Sequence, residues 1–543
     1  LRSRGLGDVY KRQVWCHPTS NWTYGEVRSD NAYKGGGGVG DLNEVHRMET
    51  FDMDATNGFL DSKWYHLYCS VQRCNSALRV LNAATDEQVN GRVSRIAEMK
   101  VLRAHYYFEL SRLFNKIPYF DENVEISQYP DIPNNEFTRD EILSMLAKEM
   151  LDAAELLPAS QSEVGRIHKY IALAYAAKIK LYQAYQQDET THAVTSINKE
   201  LLREVVSLCD QVTASNRYGL LDDFQGLDLV ANENGKESVF AIQYSMNDGT
   251  ESAGRINWSN LLNSPGGGSP YGGDGFFLPS QDLINAYQTD ANGLPDFNYQ
   301  SKSDYSWAVL NNGVYTLQNT TPNVDPRLDF VVGRPTITWK TYPDKPCEGW
   351  VRDKETYGYN CAKRFWVSPE SSDMFNGWPW GASQLNWQII RYADILLWKA
   401  EALIELNEGD GLETARDLIN QIRNRARNSA YVKDFNDHSK YAANYLVNPY
   451  PADVWNQDYA RQALRWETRL EKALEGERFF DLVRWGIVET TMNKYITAES
   501  DNRIYYANAH FTGGKDEYYP VPNNQYGFSG GKYVQNPGYA PFN

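Results

Sequence analysis

Apolar side chains recur every three or four residues in several stretches of this chain, which is the period of one face of an α-helix. The clearest stretch lies in the segment WQIIRYADILLWKAEALIELNEGDG. Its predicted apolar face consists of Ile389, Ala393, Leu396, Ala400, Leu403 and Ile404. Asn407, Gly409 and Gly411 then supply a stop signal. A second amphipathic helix is predicted directly afterwards, from about residue 412 to 426, so the two helices form a hairpin with a short joint.

The same construction is predicted in the N-terminal part of the chain. Helices are predicted over about residues 60–82, 92–115, 139–156 and 165–187. Their small alanines beside large aromatic residues suit tetratricopeptide-like helix pairs, which bury their faces only by stacking on neighbours. No strict repeat period is legible, so any repeats are degenerate. The sequence therefore predicts a mainly α-helical fold, with a scaffold of tetratricopeptide-like helical hairpins over about residues 55–215 and 385–490.

Residues from about 215 to 385 have a different composition. The segment ESVFAIQYS at 237–245 has the β-branched and aromatic content of a short strand. The long loops beyond it contain Trp307, Trp339, Trp350, Trp366, Trp378 and Trp380. Long loops in compact domains are usually functional or disordered, and so many aromatic residues argue against disorder. We therefore predict a large loop-rich region with short β-strands, which mounts an aromatic surface on the helices.

The overall composition excludes some classes of protein. The 543 residues carry 54 Lys and Arg against 70 Asp and Glu, a net charge of −16. Such a chain offers few cations to replace the counterions of a nucleic acid, so no nucleic-acid partner is expected. No apolar run approaches the roughly 18–20 residues that span a bilayer. The 37 Tyr, 20 Phe and 15 Trp stand out, because Tyr and Trp combine a flat apolar ring with a polar tip that suits binding surfaces.

The N-terminus and the cysteines bear on processing. Residues 1–13, LRSRGLGDVYKRQ, lack the apolar core and cleavage site of a signal peptide and resemble translated sequencing-adaptor sequence. We exclude them as non-native and expect residues 14–543 to form a single domain. The cysteines form no CxxC motif and the histidines no pair at ligand spacing, so no metal site is predicted. Cys347 and Cys361 flank a Gly/Tyr-rich loop and form either a local disulfide, in an oxidising compartment, or two free thiols.

Matches to catalytic motifs fail on their context. GGGGVG at 35–40 fits the glycine spacing of a dinucleotide-binding loop, but a polar turn rather than a strand precedes it. Ser529 lies in GFSGG, yet the Asp or Glu and the His that a hydrolase elbow requires do not follow it. Carboxylates near the aromatic loops, such as Glu251, Asp274 and Asp282, leave a glycoside hydrolase as an alternative, because that chemistry needs only two. We predict no catalytic residue and no cofactor.

Several charged residues lie in otherwise apolar C-terminal helices. They are Arg391, Glu401, Glu475, Arg478, Asp481 and Arg484. Because dehydrated charges are costly unless each is paired, we predict an ion-pair network that braces these helices. Arg478 and Asp481 are three residues apart, a spacing at which two side chains can pair on one helix face.

Several segments together carry a family resemblance. RYADILLWKAEAL (391–403) looks like an Arg-Tyr-Ala-Glu helix in which Asp394 replaces the usual Glu, and RLEKALEGERFFDLVRWG (469–486) is similar to an EGxRFFDLxRWG segment. Further matching segments are LRAHYYFELSRLFNKIPYF at 102–120, GGDGFFLPSQDLINAYQTD at 272–290, DPRL at 325–328, YYPVPNNQ at 518–525 and QNPGY at 535–539. Jointly they resemble the SusD/RagB family, the surface glycan-binding lipoproteins of Bacteroidetes-type bacteria.

This resemblance implies a fold and a function. The fold would be predominantly α-helical, with four tetratricopeptide-like units packed against a loop-rich region. The protein would be non-catalytic and held on the outer surface of the outer membrane by an N-terminal lipid that this chain does not include. It would cap a SusC-type TonB-dependent transporter and pass oligosaccharides, captured from a polysaccharide, into the barrel.

Aromatic rings in loops are the natural partners of a sugar. A sugar ring has an apolar face of C–H groups, on which Trp and Tyr stack, and a rim of hydroxyls, which polar side chains read. The predicted stacking residues are Trp22, Tyr33, Trp258, Tyr271, Tyr305 and Trp307, and the predicted polar contacts are Asp30, Asn31 and Asn257. The alternative for each Trp is that it merely packs its own loop onto the helices.

Three functional interpretations remain open on the sequence. The first is a binding lipoprotein that partners a transporter. The second is a glycoside hydrolase that acts on the same glycans. The third is a helical-repeat scaffold for other proteins, which the aromatic loops disfavour because such a scaffold does not require them.

Overall fold

The computed structural model describes residues 20–249, 255–259, 261–340 and 345–542. The predicted adaptor-derived segment 1–13 lies outside the described residues. The α-helices are α1 Asn43–Glu49, α2 Gly58–Ala83, α3 Arg92–Phe114, α4 Arg139–Leu156, α5 Lys169–Ala184, α6 Lys199–Ala214, α7 Gln281–Ala286, α8 Arg327–Val331, α9 Lys354–Tyr357, α10 Tyr392–Leu406, α11 Gly411–Asn428, α12 Gln457–Glu471, α13 Arg478–Arg484, α14 Val488–Glu499 and α15 Asn523–Phe528.

Local sequence signals explain where the long helices start and stop. Asn57 accepts hydrogen bonds from the first turn of α2. Thr138 and Glu141 form a capping box at the start of α4, which satisfies backbone N–H groups that the helix leaves free. Asn407 ends α10 in the left-handed conformation, as its position in the predicted stop signal indicates.

Consecutive helices pack against each other and form the predicted scaffold. Helices α2 to α6 pack in sequence order, and α10 packs on α11 and α12. Helix α6 also packs on α10, so the N-terminal and C-terminal helices form one continuous stack. The prediction of a mainly α-helical, tetratricopeptide-like fold with short strands is confirmed. The prediction that residues 14–543 form one domain stays a prediction.

The strands are short and form only two-stranded sheets in the described part of the chain. They are β1 Ala32–Gly35, β2 Tyr185–Gln187, β3 Val194–Ile197, β4 Ser238–Ile242, β5 Phe276–Pro279, β6 Gln288–Thr289, β7 Trp307–Asn311, β8 Val314–Gln318, β9 Asn323–Val324, β10 Val332–Gly333, β11 Cys361–Ala362 and β12 Trp387–Arg391. The predicted strand at 237–245 corresponds to β4.

The pairing of β4 with β12 corrects one prediction. Ile389, assigned to the apolar face of a helix, lies in β12, which pairs antiparallel with β4. Helix α10 begins only at Tyr392. The β-branched pair Ile389–Ile390 suits a strand better than a helix start, because branched side chains pack well on a pleated surface. The long segment between β4 and β12 therefore begins and ends at the same pair of hydrogen-bonded strands.

The cysteine pair of the loop-rich region is close but unbonded. The Sγ atoms of Cys347 and Cys361 are 3.7 Å apart, and both residues are buried. Both are free thiols in this structure, which corresponds to the second of the two predicted states. Their separation exceeds a disulfide bond of about 2.05 Å.

Candidate functional site

The most exposed tryptophans of the loop-rich region lie at the tip of one hairpin. Met374 and Ser383 form an antiparallel bridge, and the Phe375 N–H donates to the Ala382 carbonyl at 2.8 Å. Trp378 and Trp380 lie between these two bridged residues, with their side chains 57% and 43% exposed. The residues 374–383 are called the tryptophan hairpin below.

Glycine allows the hairpin to close against the loop beneath it. Gly381 has a φ of +68°, a conformation that residues with a Cβ rarely adopt. A Cβ at this position would lie 2.8 Å from the Cβ of Ser264 and 3.2 Å from the ring of Trp366. The absence of a side chain at Gly381 thus lets the hairpin base pack down while both indoles stay outside.

A third tryptophan completes the exposed aromatic surface. Trp258 is half-buried, and its ring meets that of Trp378 edge to face, with centroids 5.6 Å apart and planes at 69°. The neighbouring Asn257 holds this segment on the hairpin. Its N–H donates to the Ser383 carbonyl at 2.8 Å, and its Nδ2 donates to the Leu385 carbonyl at 2.6 Å. We call Trp258, Trp378 and Trp380 the aromatic platform.

Buried aromatic residues support the platform from below. The Tyr271 hydroxyl donates to the Val367 carbonyl at 2.6 Å and accepts from Trp339 Nε1 at 3.1 Å. The Trp366 and Tyr271 rings are 5.8 Å apart, and those of Trp339 and Trp350 are 5.0 Å apart. These buried rings belong to the same continuous core as the helices, so the loops beneath the platform are anchored on the scaffold.

Polar side chains of the same loops provide donors and acceptors. Arg255 donates to Asp248 at 2.9 Å, and the Arg255 side chain remains 45% exposed. Gln384 Nε2 donates to the Asp373 carboxylate at 2.7 Å. Burial raises the pKa of Glu233 to about 7, although this carboxyl accepts from the Asn386 N–H at 2.5 Å. Such groups suit recognition of hydroxyls, which both donate and accept.

The structure places most of the sequence-predicted site residues inside the protein. Trp22, Asp30, Asn31, Tyr33, Asn257, Tyr271 and Tyr305 are all buried. Only Trp258, which is half-buried, and Trp307, which is 42% exposed in β7, reach the surface. The buried rings offer no face to a sugar in this conformation, which narrows the predicted set to Trp258 and Trp307. That these two contact a glycan stays a prediction.

The N-terminal members of the predicted set have internal partners. The Trp22 ring centroid lies 5.7 Å from that of Phe277. The Tyr33 hydroxyl donates to Glu499 at 2.6 Å. These contacts correspond to the packing alternative, in which an aromatic side chain fixes its own segment onto the core.

The predicted polar contacts near the N-terminus, Asp30 and Asn31, also have partners inside the protein. Arg478 Nε donates to Asp30 at 2.8 Å, and Arg469 Nε donates to the Asn31 side-chain carbonyl at 2.9 Å. Burial by itself would raise the pKa of Asp30, but Arg469 and Arg478 lower it to about 2. Asp30 is therefore an ionised member of a buried charge cluster.

Sequence reasoning did not select Trp378 and Trp380 as binding residues. The signal that distinguishes them is the string GWPWG at 377–381, in which two indoles alternate with turn-forming Gly and Pro. A turn tip has few neighbours that can cover its side chains, so aromatic residues placed there stay exposed.

The predicted ion-pair network exists and is internal. Arg391 donates to Glu237 and to Glu475, each at 2.7 Å. Arg484 pairs with Asp481 at 2.8 Å and with Glu401. The pair that the spacing of Arg478 and Asp481 allows does not form, because Asp481 pairs with Arg484 while Arg478 reaches Asp30.

The carboxylates considered for hydrolysis have different surroundings. Glu251 lies outside the described residues. Asp282 accepts from the Tyr299 hydroxyl at 2.6 Å and from Arg469 at 2.7 Å, so it belongs to the same buried cluster as Asp30. Within the described ranges, no group of three or more His, Cys, Asp or Glu residues is arranged to hold a metal ion. No helix in those ranges is long and apolar enough to cross a membrane.

A scaffold of helical hairpins combined with a loop-rich region of short two-stranded sheets defines the fold class of this protein. The chain belongs to the SusD family, whose model matches residues 236–539, more than half of the chain. A second family model, described as starch-binding associating with outer membrane, matches residues 8–181. The predicted family membership is therefore confirmed.

Individual proteins support the same assignment. A SusD-like protein of Bacteroides ovatus is 22% identical over 457 residues, which cover 80% of this chain and 67% of that protein. The crystal structure of a SusD superfamily protein from Bacteroides vulgatus superposes with a TM-score of 0.70 at 20% identity, covering 99% of this chain and 98% of the other. Surface glycan-binding protein A from Bacteroides thetaiotaomicron, in complex with laminarihexaose, has a TM-score of 0.63 at 19% identity and covers 96% of this chain and 94% of its own.

Proposed function

We propose that this protein is a non-catalytic surface glycan-binding protein that captures oligosaccharides on the aromatic platform. The observation that carries the proposal is the tryptophan hairpin, in which Trp378 and Trp380 are exposed and the Trp378 ring meets that of Trp258, whose segment Asn257 fixes in place. The similar protein from Bacteroides thetaiotaomicron, solved with a bound oligosaccharide, supports glycans as the ligand class.

The chemistry of the platform fits a saccharide. An indole ring buries the C–H face of a pyranose with little loss of conformational entropy, because the ring itself is rigid. Hydroxyls at the edge of the sugar then meet Arg255, Asp248, Asp373 and Gln384, which offer both donors and acceptors. This mode of binding requires neither an activated nucleophile nor a proton donor.

Substitution of the hairpin indoles tests the proposal directly. Polysaccharides, laminarin first among them, are screened by retardation of the protein in native gels, and a retarding glycan is then titrated by calorimetry. We expect Trp378→Ala with Trp380→Ala to weaken binding at least tenfold, which corresponds to about 1.4 kcal/mol. Phe528→Ala removes an aromatic side chain that is 59% exposed on α15, and is expected to change affinity less than twofold. Unaltered retardation of the double variant would refute the platform.

Besides Trp258, Trp307 is the sequence-predicted stacking residue that reaches the protein surface. It lies on the β7–β8 hairpin, opposite Gln318, and is 42% exposed. We propose it as a peripheral stacking residue, so Trp307→Ala should weaken binding of long glycans more than of short ones. Equal affinities of Trp307→Ala and the parent protein for long and short glycans would remove it from the site.

Two alternatives remain to be tested with the same preparation. A glycoside hydrolase would generate new reducing ends during incubation with mixed oligosaccharides, whereas our proposal expects none. A protein-interaction scaffold would bind peptides along its helices and show no affinity for glycans. The exposed indoles favour glycan capture over the scaffold, and the assay for reducing ends separates capture from hydrolysis.

Delivery to a transporter is the remaining part of the proposal. We propose that a lipid anchors the protein to the outer surface of the outer membrane and that it passes oligosaccharides to a SusC-type TonB-dependent transporter. The second family model, with its outer-membrane description, supports this location. Copurification with an outer-membrane barrel encoded beside this gene is the test. A permanent complex should bury at least about 2,000 Å².

A further inference from the structure

A second aromatic cleft lies at the C-terminal end of α11, outside the aromatic platform. Its volume is about 400 Å³, and its lining includes Arg427, Asn428, Tyr431, Lys433 and Tyr441. This volume is within the range of roughly 300–1,000 Å³ typical of small-molecule sites. We call it the tyrosine cleft.

A small hairpin holds the aromatic walls of the cleft. Lys433 and Tyr441 form an antiparallel bridge, and the Ala442 N–H donates to the Val432 carbonyl at 3.0 Å. The Tyr431 and Tyr441 rings meet edge to face, with centroids 5.2 Å apart, and Tyr441 is 53% exposed. The cleft therefore presents a fixed but accessible ring surface.

Other parts of the protein fix the base of the cleft. The Phe224 N–H donates to Ser429 Oγ at 2.9 Å, and Gln225 Nε2 donates to the Ala430 carbonyl at 2.8 Å. Thr338 Oγ1 donates to the Lys433 carbonyl at 3.3 Å. Preorganisation of this kind lowers the entropy cost of binding a ligand.

The cleft contains two cations that no described carboxylate neutralises. Lys433 Nζ lies 4.0 Å from the centroid of the Tyr441 ring, and neither Lys433 nor Arg427 forms an ion pair with a described residue. Neighbouring cations are paired: Arg423 with Glu467 at 3.0 Å, and Lys440 with Asp437 at 2.9 Å.

Two acceptors near the cleft have hydrogen-bond donors of their own. Asp223 accepts from the backbone N–H of Ala430 at 3.2 Å and of Gln225 at 2.9 Å. The Arg427 carbonyl, near the negative end of the helix dipole, accepts from the Tyr431 hydroxyl at 2.8 Å. The Arg427 and Lys433 side chains therefore remain available to an anion.

We propose that the tyrosine cleft is a second saccharide subsite, specific for sugars that carry a carboxylate or a sulfate. The anionic group would lie against Arg427 and Lys433, and the sugar ring against the tyrosines. Charge-assisted hydrogen bonds are stronger than neutral ones, and a guanidinium matches carboxylate and sulfate geometry in particular. The inference extends the proposed function by naming a ligand class that the net charge of −16 would otherwise disfavour.

Calorimetry with acidic oligosaccharides, and with the neutral ester of one of them, tests this inference. Tri-galacturonate, tri-mannuronate and a sulfated carrageenan tetrasaccharide serve as probes, and the methyl ester of tri-galacturonate is the neutral control. We expect at least one acidic probe to bind and its affinity to fall as the salt concentration is raised. If tri-galacturonate binds, its methyl ester should bind at least tenfold more weakly. Failure of all three acidic probes, or equal affinity for acid and ester, would overturn the subsite.

Matched variants locate the binding. Lys433→Gln should weaken the acidic probe about three- to tenfold, and the double variant Arg427→Gln with Lys433→Gln at least tenfold. Lys440→Gln removes one charge from the same hairpin, where Lys440 pairs with Asp437, and should change affinity less than twofold. Equal effects of Lys433→Gln and Lys440→Gln would mean a general charge effect and no site. Unchanged circular dichroism and melting temperature exclude misfolding.

The platform variants separate this inference from the proposed function. If Trp378→Ala with Trp380→Ala abolishes binding of the acidic probe while Arg427→Gln with Lys433→Gln does not, the platform takes the acidic sugar and the tyrosine cleft is not a subsite. If polysaccharide retardation depends on the platform but no acidic probe binds, only the second subsite is wrong. If acidic probes bind at the cleft but the platform variant retains full retardation, the platform proposal alone fails.

Discussion

Two segments of this protein contain prominent aromatic residues, but one segment buries these side chains and the other exposes them. Residues 20–35 contain Trp22 and Tyr33, which are buried, whereas the tryptophan hairpin carries Trp378 and Trp380 on the surface. The N-terminal segment has partners more than 400 residues away, including Arg478 for Asp30. At the tip of the tryptophan hairpin, the Phe375 and Ala382 N–H groups donate to acceptors within the hairpin, whereas Ser383 at its base accepts from Asn257. Distant partners draw an aromatic segment inward, and a self-contained turn leaves its side chains outside.

The largest expected effect compares one tryptophan from each segment. Trp22→Ala should lower the free energy of unfolding by about 3–5 kcal/mol, because it opens a cavity beside Phe276 and Phe277. Trp378→Ala should lower it by less than about 0.5 kcal/mol, because an exposed ring loses little packing. Denaturant titration measures both. Similar losses for the two variants would break the comparison.

A smaller effect concerns the carboxyl that holds Tyr33. Burial raises the pKa of Glu499 to about 7, with Asp282 and Asp304 adding to the shift while Tyr33 and Arg503 oppose it. Since the folded pKa exceeds the unfolded one, this group stabilises the fold below the unfolded pKa and loses that contribution as pH rises through about 7. Glu499→Gln should therefore gain about 2 kcal/mol relative to the parent protein between about pH 5 and about pH 8.

Denaturant titrations of Glu499→Gln and the parent protein at several pH values measure this difference. Asp437→Asn is the control, because hydrogen bonds from Ser439 and Lys440 lower the pKa of Asp437 to about 2, so this carboxyl does not titrate in the tested pH range. A constant difference between Glu499→Gln and the parent across this pH range would contradict the assignment.

The smallest expected effect concerns the support of the platform. Asn257→Ala removes the side-chain bond to Leu385 that positions Trp258, and should cost about 1 kcal/mol of stability. Glycan affinity should fall, but less than in Trp378→Ala, because the exposed indoles remain. Asn436→Ala, at an exposed position, should alter neither quantity. Glycan affinity in Asn257→Ala equal to that of the parent protein would show that Trp258 needs no such support.

The sequence predicts the scaffold better than the binding surface, for a physical reason. Helices such as Arg139–Leu156 are encoded locally, because their period and the Thr138 cap lie within the segment itself. The burial of Trp22 depends on Phe276 and Phe277, more than 250 residues along the chain, so its own segment does not indicate it. Ile389 shows the same limit, since its strand exists only because β4 pairs with β12.

The β4–β12 ladder has a consequence for how this protein can change. The segment 243–386 starts and ends at that ladder, so its two ends stay together whatever its length. The entropic cost of closing a loop rises only slowly with the length of the loop. New ligand preferences can therefore arise by replacing or lengthening parts of this segment, while the stacked helices below remain as they are.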